Sequence, residues 1–174
     1  MKISKALTII TFLLLTQACS HVDPKELPTN VIKFVEASGR VEIEIKGKEW
    51  QKLTSKGSAA LTSKNKVAIE QAMNVATLRA KAGLVEFLNE DIKSNKATGT
   101  ISKSLNKEGL AEEASNDVAS NVSEDIISEA RHILKGAYVV DRSVAPDQDY
   151  VSVTVVVDRK MIEVSKSISK SFNQ

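Results

Sequence analysis

Cysteine occurs once in this sequence, proline three times and histidine twice. One cysteine excludes an intramolecular disulfide and any multi-cysteine metal site. The two histidines, His21 and His132, stand far apart and leave little for a transition-metal centre. Aromatic residues are only 4% of the chain, too few to build stacking platforms for bases or sugars. A dominant charge is also missing. Lys and Arg total 24 and Asp and Glu 22, and the two excess cations are Lys2 and Lys5. From Cys19 onward the chain is neutral, so the electrostatic footprint of a nucleic-acid binder is absent. The seven glycines are isolated, so no phosphate-cradling loop exists, and neither a Gly-x-Ser-x-Gly elbow nor a His-Glu-x-x-His helix occurs. What is present is ordinary for a globular domain. Hydrophobic residues make up 42% and charged residues 26% of 174, enough for one domain with little left for a second.

The N-terminus reads as an address. Lys2 and Lys5 precede the apolar run Ala6 to Leu15. Ten helical residues span about 15 Å, half of a hydrocarbon core about 30 Å thick, so a processed signal peptide over 1–18 is expected rather than a membrane span. The run continues Leu15-Thr16-Gln17-Ala18-Cys19-Ser20, which resembles the bacterial lipoprotein box, with small Ala18 before the only cysteine. Thr16 stands three places before the cysteine, where that family most often has Leu. The resemblance implies diacylglycerol on the Cys19 thiol, cleavage before Cys19 and an acyl chain on the freed amine. Several chains hold a protein stably where one holds it marginally. Ser20, rather than Asp, after the cysteine implies sorting to the outer membrane, with the domain facing the periplasm. The alternative is a soluble secreted protein cut after Ala18. Residues 19–30 carry Pro24 and Pro28 and read as an extended tether, in which His21 is a solvated linker residue.

Residues 31–174 are expected to form one α+β domain: a small antiparallel sheet of three to four strands, with a long helix and a shorter one packed on one face and a C-terminal helix. Arg40 to Lys46 alternates, with Val41, Ile43 and Ile45 on one face and Glu42, Glu44 and Lys46 on the other, as in a half-buried strand stopped by Gly47. Val31 to Val35 extends it or forms its own short strand, and Trp50 to Leu61 is a strand or the approach to a helix. Lys64 to Lys93 is the strongest helix. Ala68, Ala72, Ala76, Ala80, Leu84 and Leu88 recur every four residues, a smooth ridge suited to lying close on a sheet. Asn95 to Ser115 is polar, holds Gly99 and Gly109, and reads as a loop with an irregular strand near Thr98 to Leu105. Val118, Val122, Ile126, Ala130 and Ile133 mark a helix from about Asn116 to Leu134, ended by Gly136. Ala137 to Val144 and Tyr150 to Val157 should pair as a hairpin across a turn containing Pro146, with Val151, Val153, Val155 and Val157 on one face. Asp158 is placed to cap a final helix along which Met161, Val164, Ile168 and Phe172 follow helical spacing.

Candidate chemistry is thin. Asp141-Arg142 and Asp158-Arg159 recur at related points of two strands, but neighbours on a strand point to opposite faces, so solvated ion pairs are the expectation. Glu112-Glu113 reads as loop charge and His132 as a surface contact near a helix C-terminus. No catalytic, metal or cofactor residue is assigned.

The stretches Ala68 to Leu88 (AIEQAMNVATLRAKAGLVEFL) and Leu134 to Asp158 (LKGAYVVDRSVAPDQDYVSVTVVVD), together with the lipoprotein box and the order of elements, resemble the family of small outer-membrane lipoproteins that includes the flagellar assembly lipoprotein FlgP. The likeness covers about two-thirds of the chain, through patterns of small and aliphatic residues. It implies a FlgP-like, non-enzymatic protein that forms homo-oligomers and serves an envelope machine, with flagellar or other envelope-complex proteins as partners. Only Cys19, as the lipid anchor into the membrane, carries over as a site; nucleic acid is not expected as a partner. The competing expectation is a ligand- or protein-binding module on the same anchor, which would need an apolar pocket with convergent polar groups.

Overall fold

The computed structural model describes residues 31–35, 40–145 and 149–171. The signal segment, Cys19, the tether with His21, the Pro146 turn residue and Phe172 lie outside the described residues.

Five strands form one antiparallel sheet: β1 (Ile32–Val35), β2 (Val41–Lys46), β3 (Glu49–Ala60), β4 (Tyr138–Ala145) and β5 (Tyr150–Asp158), in the order β1-β2-β3-β5-β4. This is one strand more than expected, because Ile32–Val35 pairs as a separate edge strand on β2 and all of Glu49–Ala60 is extended. β2 and β3 join through a tight turn in which Gly47 has φ +62°, a conformation glycine adopts without steric cost. One face of the sheet is apolar: Val41, Ile43 and Ile45 from β2, and Val151, Val153, Val155 and Val157 from β5, are all buried. On β3 the inward positions are Trp50, Leu53, Ser55, Gly57 and Ala59. The three-residue step from Trp50 to Leu53 breaks the strand period, and a bulge in the β2–β3 register absorbs it. The other face carries charge. Lys33, Glu44 and Lys52 stand in a row across β1, β2 and β3, with Lys33 Nζ 2.9 Å and Lys52 Nζ 3.8 Å from the Glu44 carboxylate.

Helix α1 (Lys66–Glu86) lies on the apolar face over β3 and β5. It begins where Asn65 Oδ1 accepts the Ala68 amide at 2.8 Å. Ala72, Ala76, Ala80 and Leu84 face the sheet and are buried. Gly57 sits beneath them so closely that a Cβ placed there would be 2.1 Å from the Ala76 carbonyl oxygen and 2.5 Å from the Ala80 nitrogen. The alanine ridge and Gly57 therefore form one contact, backbone against backbone. Ser55 Oγ adds a buried bond of 2.8 Å to the Ala80 carbonyl. The run continues as a π-helical stretch, Phe87–Ile92, whose Phe87, Leu88 and Ile92 are buried.

The segment expected as a loop is instead helix α2 (Lys96–Lys107), which buries Ala97, Ile101 and Leu105. Those three residues are four apart, the helical spacing. Thr98, Gly99 and Thr100 lower local helix propensity, and tertiary burial of the stripe outweighs that. Helix α3 (Glu112–Gly136) has 25 residues and so exceeds α1, where a shorter helix was expected. Glu112 and Glu113 form its first turn, where carboxylates complement the positive end of the dipole, and are not loop charges. Helix α4 (Arg159–Ser171) follows β5, with Asp158 Oδ1 accepting the Lys160 amide at 2.9 Å.

Candidate functional site

Cys19 lies outside the described residues. Within them, no group of three or more His, Cys, Asp and Glu side chains is placed to hold a metal ion. No described helix is long and apolar enough to cross a membrane. The candidate features among the described residues are surfaces, and several of them lie on one flank of the domain.

That flank is built by β4, the C-terminal part of α3, and α4. Strand β4 is the sheet's edge beside β5, and no described strand pairs with its outer side. Val139 faces the core and is half-buried, but Tyr138, Val140 and Val144 are exposed. A register shift between Val139 and Asp141 lets both Tyr138 and Asp141 share the charged face of the sheet, opposite Val156 and Thr154. Ser143 continues that face and is hydrogen-bonded to Ser152 across the strands at 2.7 Å. Asp141 and Arg142 stand opposite different partners, Thr154 and Val153, and do not converge on a site.

Helix α4 sits on the body in an unusual way. Its buried apolar residue is Ile162, and the stripe of Met161, Val164 and Ile168, which sequence periodicity singles out, points to solvent at 60%, 53% and 51% exposure. Charged groups fix that orientation. The Arg159 guanidinium pairs with Asp125 of α3 and Glu163 of its own helix, and stacks 5.7 Å from the centroid of the buried Trp50 ring. Burial disfavours the Arg159 charge, but Asp125, Glu163 and Glu49 outweigh it and hold its pKa above the ordinary arginine value. Beyond it, Lys166 Nζ lies 2.6 Å from Glu129 Oε1, and the second oxygen of that buried carboxylate has no described partner. The Asp158-Arg159 dipeptide is thus no ion pair. Asp158 caps α4, while Arg159 reaches a carboxylate 34 positions back in the chain. No local sequence signal announces that partner.

Between α4 and the end of α3 runs a cleft of about 280 Å³, bordered by His132, Lys135, Tyr138, Met161, Ile162 and Ser165. His132 is at the surface, as expected, and no carboxylate lines the cleft. A second, polar cleft of about 580 Å³ opens beside Arg159 between Lys48, Glu49 and the Asn121–Ser128 turns of α3. Away from this flank, α1 exposes Val75, Leu78 and Val85 on the side opposite its alanine ridge. Their spacing of three and seven residues is that of a helix-packing seam.

No protein-family profile matches the chain, and no curated protein sequence matches it.

Proposed function

We propose that this is a non-enzymatic outer-membrane lipoprotein, anchored through Cys19, that self-assembles and supports an envelope machine, with flagellar assembly the first machine to test. The observation that carries the assembly reading is the β4 edge: eight residues whose outer side pairs with no described strand, with Tyr138, Val140 and Val144 exposed along it. Open edges of that length invite pairing with another strand. The exposed seam on α1 offers a second contact, so a copy could engage neighbours through two surfaces and build a closed ring. The neutral net charge from Cys19 onward puts little long-range repulsion between copies. A shared lipid surface would raise their effective concentration. For the ligand-binding alternative, the cleft beside Met161 is small and bordered by exposed side chains, and the cleft beside Arg159 is lined by polar and charged side chains only.

Two measurements test the reading. Palmitate labelling should mark the wild type and not Cys19→Ala; an unlabelled, soluble wild type removes the anchor. Light scattering behind a sizing column should find a discrete oligomer at micromolar concentration. A monomer at every concentration removes self-assembly. Proteins recovered with the solubilised chain from envelopes then name the machine.

A further inference from the structure

The α4 flank holds an apolar stripe that the fold keeps outward, and the position of α4 says what covers it. Ile32, the first residue of β1, is in register with Ile45, and Ile45 with Trp50. On the other side of β3, Lys52 is in register with Asp158, the last residue of β5. The chain thus enters the sheet and passes into α4 at the same end of the sheet. β1 and β5 are three strand spacings apart, about 14 Å. Residues 19–30, if extended, reach about 40 Å. A lipid held at Cys19 would therefore place its bilayer within range of this end of the domain, where α4 lies.

The charge around the stripe matches such a surface. Helix α4 contains Arg159, Lys160, Lys166 and Lys170 against the single carboxylate of Glu163. Arg159 and Lys166 are engaged with Asp125 and Glu129, which pins the helix. Lys160 and, across the cleft, Lys135 stand to either side of Met161. An apolar stripe bounded by lysines is the pattern of a helix that lies in a membrane interface. A second copy docked face to face on the same stripe would set these lysines against their own counterparts, whereas anionic headgroups neutralise them.

We propose that α4 is a membrane-contact helix: Met161, Val164 and Ile168 enter the interfacial region of a bilayer containing anionic phospholipid, with Lys135 and Lys160 on its phosphates. The contact fixes how the domain stands on the membrane and leaves the β4 edge and the α1 seam free for neighbours. The placement rests on the lipid-anchor reading, but the contact itself can be measured without the anchor.

The test uses unacylated Ser20 to Gln174, which contains every described residue. Vesicles of phosphatidylethanolamine and phosphatidylglycerol should carry this chain upward in a flotation gradient, and pure phosphatidylcholine vesicles should carry much less. Met161→Ser combined with Val164→Ser and Ile168→Ser should weaken binding by about tenfold or more, because the buried apolar area is what holds an interfacial helix. Because that chain lacks the only cysteine, Val164→Cys can carry a single environment-sensitive dye. Its emission should shift to the blue on the anionic vesicles, while a dye at Leu78→Cys on α1 should not respond. Three results would overturn the proposal: no flotation of the wild type, equal flotation of the triple variant, or a triple variant whose lipid-free oligomer falls apart, which would assign the stripe to a second copy. Palmitate labelling of Cys19 tests the anchor separately, so loss of either idea leaves the other measurable.

Discussion

The two sides of the helix layer are held by opposite means. Where α1 crosses β3, the contact is made of nearly nothing: alanine methyls, Gly57, and backbone atoms close enough that one added carbon collides. Where α4 meets α3, the contact is made of long charged side chains around one buried isoleucine, and the helix's own apolar stripe is left outside. The first arrangement gives a contact that cannot slide or loosen without opening a void. The second fixes a direction while leaving apolar surface for something else to cover. Core packing serves stability on one side, and on the other stability is traded for an exposed surface.

The strongest way to break the first region is to put a charge in it. Val153 is fully buried on β5, in register with Gly57 beneath the alanine ridge. Val153→Asp should cost about 4 kcal/mol or more, since nothing there can pair a carboxylate. Urea denaturation should find the variant unfolded or nearly so; a wild-type midpoint would mean that α1 does not cover β5.

Next in size is the smallest chemical change. Gly57→Ala adds one methyl against backbone atoms of Ala76 and Ala80, which cannot rotate away as a side chain would. The helix must lift, at a cost of about 2–3 kcal/mol. Chemical denaturation would measure it, and a neutral result would show that the ridge rides higher over the sheet than described. Ser55→Ala sharpens the same contact. It removes the buried bond to the Ala80 carbonyl and should cost about 1 kcal/mol, a clear shift of the urea midpoint.

The α4 stripe should behave in the opposite way. Replacing Met161, Val164 or Ile168 singly by serine should change folding stability by no more than about 0.5 kcal/mol each, because exposed positions contribute little. A loss comparable to that of Gly57→Ala would mean that the stripe is buried in the folded chain, and the contrast between the two regions would collapse.

The same division marks what the sequence discloses. The alanine ridge, the alternation of Val41, Ile43 and Ile45 and the valines of β5 are periodic, and periodicity is a local property, so these elements and the antiparallel β4–β5 hairpin are where the residues predict them. β3 is ambiguous because its bulge after Trp50 shifts the phase and its later residues are glycine, serine and alanine, which say little about a face. α2 is hidden because Thr98, Gly99 and Thr100 mask a clear Ala97, Ile101, Leu105 spacing. The placement of α4 is the least legible. Its amphipathic pattern suggests a buried apolar face, but the face against the body is chosen by Arg159 with Asp125 and Lys166 with Glu129, pairs that exist only once the chain has folded.

The smallest effect concerns a charge pair at the entrance to this looser region. Lys48, in the β2–β3 turn, donates to Asp117 of α3 at 2.7 Å, and both side chains are half-exposed. The hydrogen bond and charge of Lys48 hold the Asp117 carboxyl below its ordinary pKa. A carboxylate whose pKa is lowered by folding contributes its stability above the unfolded value and loses it as pH falls through the folded value. The carboxyl carbon of Asp117 should therefore titrate at a lower pH in the wild type than in Lys48→Met, as read by NMR. The small difference in melting temperature between the two proteins should close as pH drops below the wild-type midpoint. Identical midpoints would show that the pair does not persist in solution. The β2–β3 turn would then lack its charged tie to α3.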